Sequence, residues 1–91
     1  MKYFDWDPQK NKELKEKRGV SFEEVMLMLK KGDVLDLFDH PNQTKYPGQK
    51  IFIVKINNYC FMVPYIEDSE KYFLKTVIPS RKATKKYLFK K

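Results

Sequence analysis

The sequence predicts an α+β protein: two N-terminal helices packed on a four-stranded, mainly antiparallel sheet, with a short basic helix at the C-terminus. Three observations carry this expectation. Two helix-start signatures flank Gly19, the apolar period switches from helical to alternating after Gly32, and the net positive charge gathers at the C-terminal end.

The first helix is expected over about residues 8–18. Asp7-Pro8 sets an N-cap acid before a proline at the first helical position, and Gly19 offers a left-handed stop after Lys17 and Arg18. Leu14 is its only strongly apolar residue, so it can bury a narrow line at most. The aromatic cluster Tyr3, Phe4 and Trp6 is expected to tether it. In the second helix Ser21 and Glu24 spell a capping box, Val20 and Val25 can staple across it, and Lys31-Gly32 ends it. Phe22, Val25, Met26 and Leu29 form its buried stripe at helical spacing, the methionines acting as core filler.

After Gly32, "VLDLF" alternates as a half-buried strand does, and "HPNQTKYPGQK" is a loop punctuated by proline and glycine. "KIFIVKI" and "YCFMVPYI" read as strands joined by Asn57-Asn58, a pair that tolerates positive φ in a two-residue hairpin. Pro64 cannot donate a ladder hydrogen bond, which marks a bulge or an unpaired edge within its strand. "EDSEK" turns the chain into a fourth strand, "YFLKTVI". From about Ser80, the helical spacing of Ala83, Tyr87 and Leu88 predicts a short basic helix docked on the sheet.

The 91 residues, 42% hydrophobic and 15% aromatic, suffice for one compact domain over residues 1–91. No apolar run approaches the roughly 18 to 20 residues of a membrane span, and none follows Met1, which points to a cytoplasmic protein without a membrane partner. Cys60 has no disulfide partner and sits among apolar residues as an inert buried thiol would. No metal-ligand spacing occurs, and neither a metal nor another cofactor is expected. Residues 1–40 carry 8 Lys/Arg against 9 Asp/Glu, and residues 41–70 carry 3 against 3; the last 21 carry 8 against none. Such a distribution suits a face that seeks phosphates, or else a solvated basic tail.

The opening "FDWDPQKNKELKEKRGVSFEEV" resembles the start of BrnT-type toxins, with their F-x-W-D-x-x-K-N pattern, K-H-G-V turn and S-F-E-E helix start. Phe4, Trp6, Asp7, Lys10, Asn11, Lys17, Gly19, Val20, Ser21, Phe22, Glu23 and Glu24 match. "IPSRKATKK" is similar to the family's I-S-x-R-x-A segment through Ile78, Arg81 and Ala83. The chain departs at Arg18, where a histidine is usual, at Pro79, which shifts the serine to Ser80, and at Tyr87, where a glutamate is expected. The resemblance implies a RelE-like fold and a type II toxin that cleaves mRNA and stops translation. It also implies a cognate antitoxin, operator DNA reached through that antitoxin, and an association with the ribosome. The residues alone also accommodate a non-catalytic RNA- or DNA-binding module, or a degenerate toxin acting as an interaction protein.

Cleaving RNA through its 2′-hydroxyl requires a proton acceptor, cations for the charged transition state and a proton for the leaving oxygen. Arg81 is the best candidate clamp, because a guanidinium meets phosphate as a bidentate fork, with Lys82, Lys85 and Lys86 adding positive potential. Tyr65 could stack on a base and Glu67 accept a proton, or the first caps the core and the second belongs to a turn. Tyr87 is a candidate for the missing general acid, or an anchor of helix to sheet. His40 starts a turn, and Lys45 and Lys50 are candidates to guide RNA.

Overall fold

The computed structural model of the chain describes residues 2–88. It is an α+β structure with helices on both faces of a mixed sheet. A short strand, β1 (Tyr3–Trp6), leads into α1 (Pro8–Arg18) and α2 (Phe22–Lys31). The sheet continues with β2 (Val34–Asp39), β3 (Gln49–Ile56), β4 (Tyr59–Glu67), β5 (Lys71–Leu74) and β6 (Ile78–Pro79), and α3 (Arg81–Tyr87) follows.

Both helix starts form as their sequences dictate. The Asp7 carboxylate accepts from the Gln9 N–H at 2.9 Å. The Ser21–Glu24 capping box closes in both directions, satisfying two amides that the first turn leaves without partners. Gly19 ends α1 at φ 67°, a conformation that costs a residue with a Cβ roughly 1 kcal/mol or more.

The sheet is larger and less uniform than the expected four antiparallel strands. Its order is β1-β5-β4-β3-β2, with β6 pairing β4 beside that path. The aromatic segment expected as a tether is a strand, paired parallel to β5 with Tyr3 opposite Lys71 and Trp6 opposite Leu74. The run "YFLKTVI" is broken in two: β5 pairs with Tyr65–Glu67, and β6 pairs with Phe61 and Met62. Pro64 explains the break. Its carbonyl accepts from the Lys75 N–H at 2.8 Å, so its missing N–H points into the gap between β5 and β6 instead of at β3. The remaining pairs are antiparallel, and Asn57 and Asn58 turn the β3–β4 hairpin at φ 53° and 61°.

Strand alternation divides the core into two. Phe52, Val54 and Ile56 of β3 and Phe61, Val63 and Tyr65 of β4 meet Leu14, Val20, Phe22 and Val25 of the α1–α2 layer. On the opposite face Ile51, Ile53 and Cys60 meet Ala83, with Met62, Tyr87 and Leu88 at the margin. There Thr84 pins α3 to β4: its hydroxyl accepts from the Cys60 N–H at 2.9 Å and donates to the Ser80 carbonyl at 2.8 Å. Cys60 is fully buried, and burial pushes its thiol up, as befits an inert core residue.

The polar helix α1 is held by more than Leu14. Asn11 is buried, and its side chain accepts from the Phe22 N–H at 2.8 Å while donating to Glu23 at 2.8 Å. It thereby caps the start of α2 from another helix. Replacing Asn11 with alanine leaves a buried N–H without an acceptor, at a cost of about 1–3 kcal/mol. A urea titration should show the lower midpoint with an unchanged slope. Asn11→Asp, which keeps an acceptor, should recover part of the loss.

Candidate functional site

Between α3 and the β2–β3–β4 face lies a groove of about 440 Å³. Its floor is apolar, formed by Phe38 of β2, Ile53 of β3, Met62 of β4 and Ala83 of α3, with Pro41 at one margin. Lys82 and Lys86, one helical turn apart, stand along its rim. At one end the Tyr87 hydroxyl donates to the Asp36 carboxylate, joining α3 to β2. The other carboxylate oxygen accepts from the Leu37 N–H at 2.8 Å.

Alternation and a bulge bring Asp36 to this face. Val34 pairs with Val54, and the register then shifts so that Asp36 lies opposite Ile53, whose side chain belongs to the α3 side. The bond from Tyr87, then the Leu37 amide and the charge of Lys86, hold Asp36 below the usual carboxylate range. The same bond pushes the Tyr87 phenol up, so the pair rests as carboxylate and protonated phenol at neutral pH.

The candidate residues divide between the two faces. Lys82, Lys86 and Tyr87 line the groove. Arg81 and Lys85 are exposed one turn apart on α3, in a second cationic row beside the first. Tyr65 lies on the opposite face, 2% exposed, its ring 4.2 Å from that of Phe52. Burial, with the nearby Glu67 charge, pushes its phenol up to about 12. Its ring is a core ring and not a platform for a base. Glu67 takes the Lys2 ammonium at the β5 side of that same face. Lys50 sits opposite Tyr65 in the β3–β4 register, again away from the groove. Lys45 stays exposed on the loop over Tyr46, and the His40 ring packs at a tilt against Tyr46, 4.4 Å between centroids, while its Nδ1 accepts from the Asn42 N–H. Arg81, Tyr65, Glu67 and Tyr87 therefore do not converge on one point.

Asp36 is the groove residue that the sequence reading missed. An acid between two leucines of an alternating strand is ordinarily the solvent-facing position. The available signal was its place on the strand face opposite Leu37, the face that a docked C-terminal helix would cover. Among the described residues no three His, Cys, Asp or Glu side chains are grouped to hold a metal, and no helix is long and apolar enough to cross a membrane.

A sheet with helices on both faces and a slot rimmed by ammonium groups defines, as a class, a small α+β domain equipped to meet a polyanion. Its particular family is given by sequence: residues 6–86 match the family described as the ribonuclease toxin, BrnT, of type II toxin–antitoxin systems, and the chain belongs to that family. No curated protein and no solved structure matches the chain. Membership makes it a ribonuclease toxin of the type II kind, and implies RNA as substrate and an antitoxin as partner.

Proposed function

We propose that the protein is a metal-independent endoribonuclease that cleaves mRNA across the α3–β2 groove, stops translation and is neutralised by an antitoxin that covers this groove. The observation that carries the reading is the pair Lys82 and Lys86 over an apolar floor, in a chain of a ribonuclease-toxin family. The whole chain acts as a single toxin domain in the cytoplasm, with ribosome association presenting the mRNA and operator DNA reached only through the antitoxin.

The chemistry follows from charge. The RNA 2′-oxygen attacks the adjacent phosphorus as its proton passes to water. Negative charge then builds on the phosphoryl oxygens, where Lys82 and Lys86 stabilise it. The bond from phosphorus to the 5′-oxygen breaks, and an ammonium group donates the proton that the leaving oxygen requires, to be restored from solvent. Arg81 and Lys85, in the outer row, hold flanking phosphates, with Arg81 favoured by its bidentate fork. Lys45 guides the strand from the loop that carries Pro41. Tyr87 serves by positioning Asp36 and α3. Tyr65, Glu67 and Lys50 support the opposite face and stand outside the reacting set.

Expression in a bacterial host should arrest growth and degrade mRNA, and co-expression of the antitoxin should relieve both. Purified protein should cut single-stranded RNA with a chelator present. Unaffected growth with intact RNA would overturn the reading and favour a non-cleaving interaction protein.

A further inference from the structure

Resting on the ribonuclease reading, we propose that the groove is a slot for one unstacked nucleobase and that Asp36 makes it select guanine. Single-stranded RNA is read by bases splayed from their neighbours, stacked on aromatic or apolar side chains and hydrogen-bonded along an exposed edge. The slot offers each part. Phe38 is an aromatic wall, 38% exposed, and Ile53, Met62 and Ala83 supply an apolar floor. Lys82 and Lys86 stand where the phosphates flanking an inserted base would run. The volume of about 440 Å³ falls within the range of pockets for small ligands, roughly 300–1,000 Å³.

Asp36 supplies the selection. A carboxylate accepts about four hydrogen bonds. Two are in place, from the Leu37 amide on one oxygen and the Tyr87 hydroxyl on the other, and these fix its plane and leave one lone pair free on each oxygen. Two adjacent acceptors fit two adjacent donors. Guanine alone carries two, its ring N1–H and its exocyclic amino group, side by side on the pairing edge. Adenine and cytosine each present one amino donor beside a ring-nitrogen acceptor, and uracil presents one N–H between two carbonyls. For these three, a free carboxylate lone pair faces another acceptor, a repulsion that guanine avoids.

The test uses 2′-O-methyl trinucleotides U-N-U, which lack the attacking hydroxyl, titrated into the wild-type chain by calorimetry. The guanine trimer should bind roughly 5- to 150-fold more tightly than the other three, the span of one bidentate base contact. Asp36→Asn, which turns one of the two acceptors into a donor and so meets the donor-and-acceptor edge of adenine or cytosine as well, should abolish the preference for guanine. Lys82→Ala should weaken all four alike, and Phe38→Ala should weaken all four without changing their order. Equal affinities in the wild-type chain, or guanine preference surviving in a folded Asp36→Asn protein, would overturn the selection while leaving RNA cleavage standing. Absence of binding by every trimer would overturn the base slot. The ribonuclease reading itself fails separately, if guanine trimers bind and unmodified RNA stays uncut.

Discussion

The Lys82→Ala/Lys86→Ala double variant is expected to keep its fold and lose cleavage by at least about 10²-fold, the scale on which removal of a group stabilising developing charge acts. The two ammonium groups flank one groove, so their loss removes the charge stabilisation and the proton for the leaving oxygen together. Neither is buried, and the fold does not depend on them. Affinity for RNA should fall less than rate, and its salt dependence should flatten by roughly two phosphate contacts. Arg81→Ala, in the outer row, should do less to rate and take away about one contact. Cleavage by the folded double variant at the wild-type rate would move the reacting centre elsewhere, with Arg81 and Lys85 the next residues to replace.

The second large effect concerns stability. Phe22 is fully buried, begins α2, stacks on Trp6 at 5.6 Å and lies in the core shared by α1, α2 and the sheet. Phe22→Ala should cost about 3–5 kcal/mol, transfer and cavity together. In a chain of this length such a loss lowers the melting temperature on the order of 20 °C and approaches the whole stability of a marginal domain. Thermal melts followed by circular dichroism measure it directly. A loss near that of Leu27→Ala, whose side chain is half exposed on the same helix, would show that the α1–α2 layer is not part of the cooperative core.

These two experiments rest on parts of the structure that were unequally legible in the sequence. Helix starts and stops were legible because a cap is local: Ser21 and Glu24 are three residues apart, and Asp7, Gly19 and Gly32 act on the turn beside them. The β3–β4 hairpin was legible for the same reason, through Asn57 and Asn58. Strand β1 was not. Four residues carry little period, and Tyr3–Trp6 becomes a strand only because β5 lies beside it, a parallel partner far along the chain. The split of β5 from β6 was half legible, since Pro64 announced a missing donor but not which neighbour would lack it.

The site was legible as a cationic segment and illegible as a place. Alternation alone puts Tyr65 with Phe52 and Phe61, but nothing local says that α3 covers the other side of the sheet. Proximity to a strand end therefore made Tyr65 and Glu67 candidates, and burial gives the first to the core. Asp36 gains its meaning from Tyr87, 51 residues away, and no spacing rule reaches that far.

RNA is expected to lie between α3 and β2. A chemical-shift map of the backbone amides, recorded while a 2′-O-methyl RNA hexamer is titrated into the protein, tests it most directly. Shifts are expected at Phe38, Met62, Ser80, Ala83 and Lys86, with the α1–α2 face unmoved. Shifts confined to α1, which carries Lys10, Lys12, Lys15, Lys17 and Arg18, would overturn that placement.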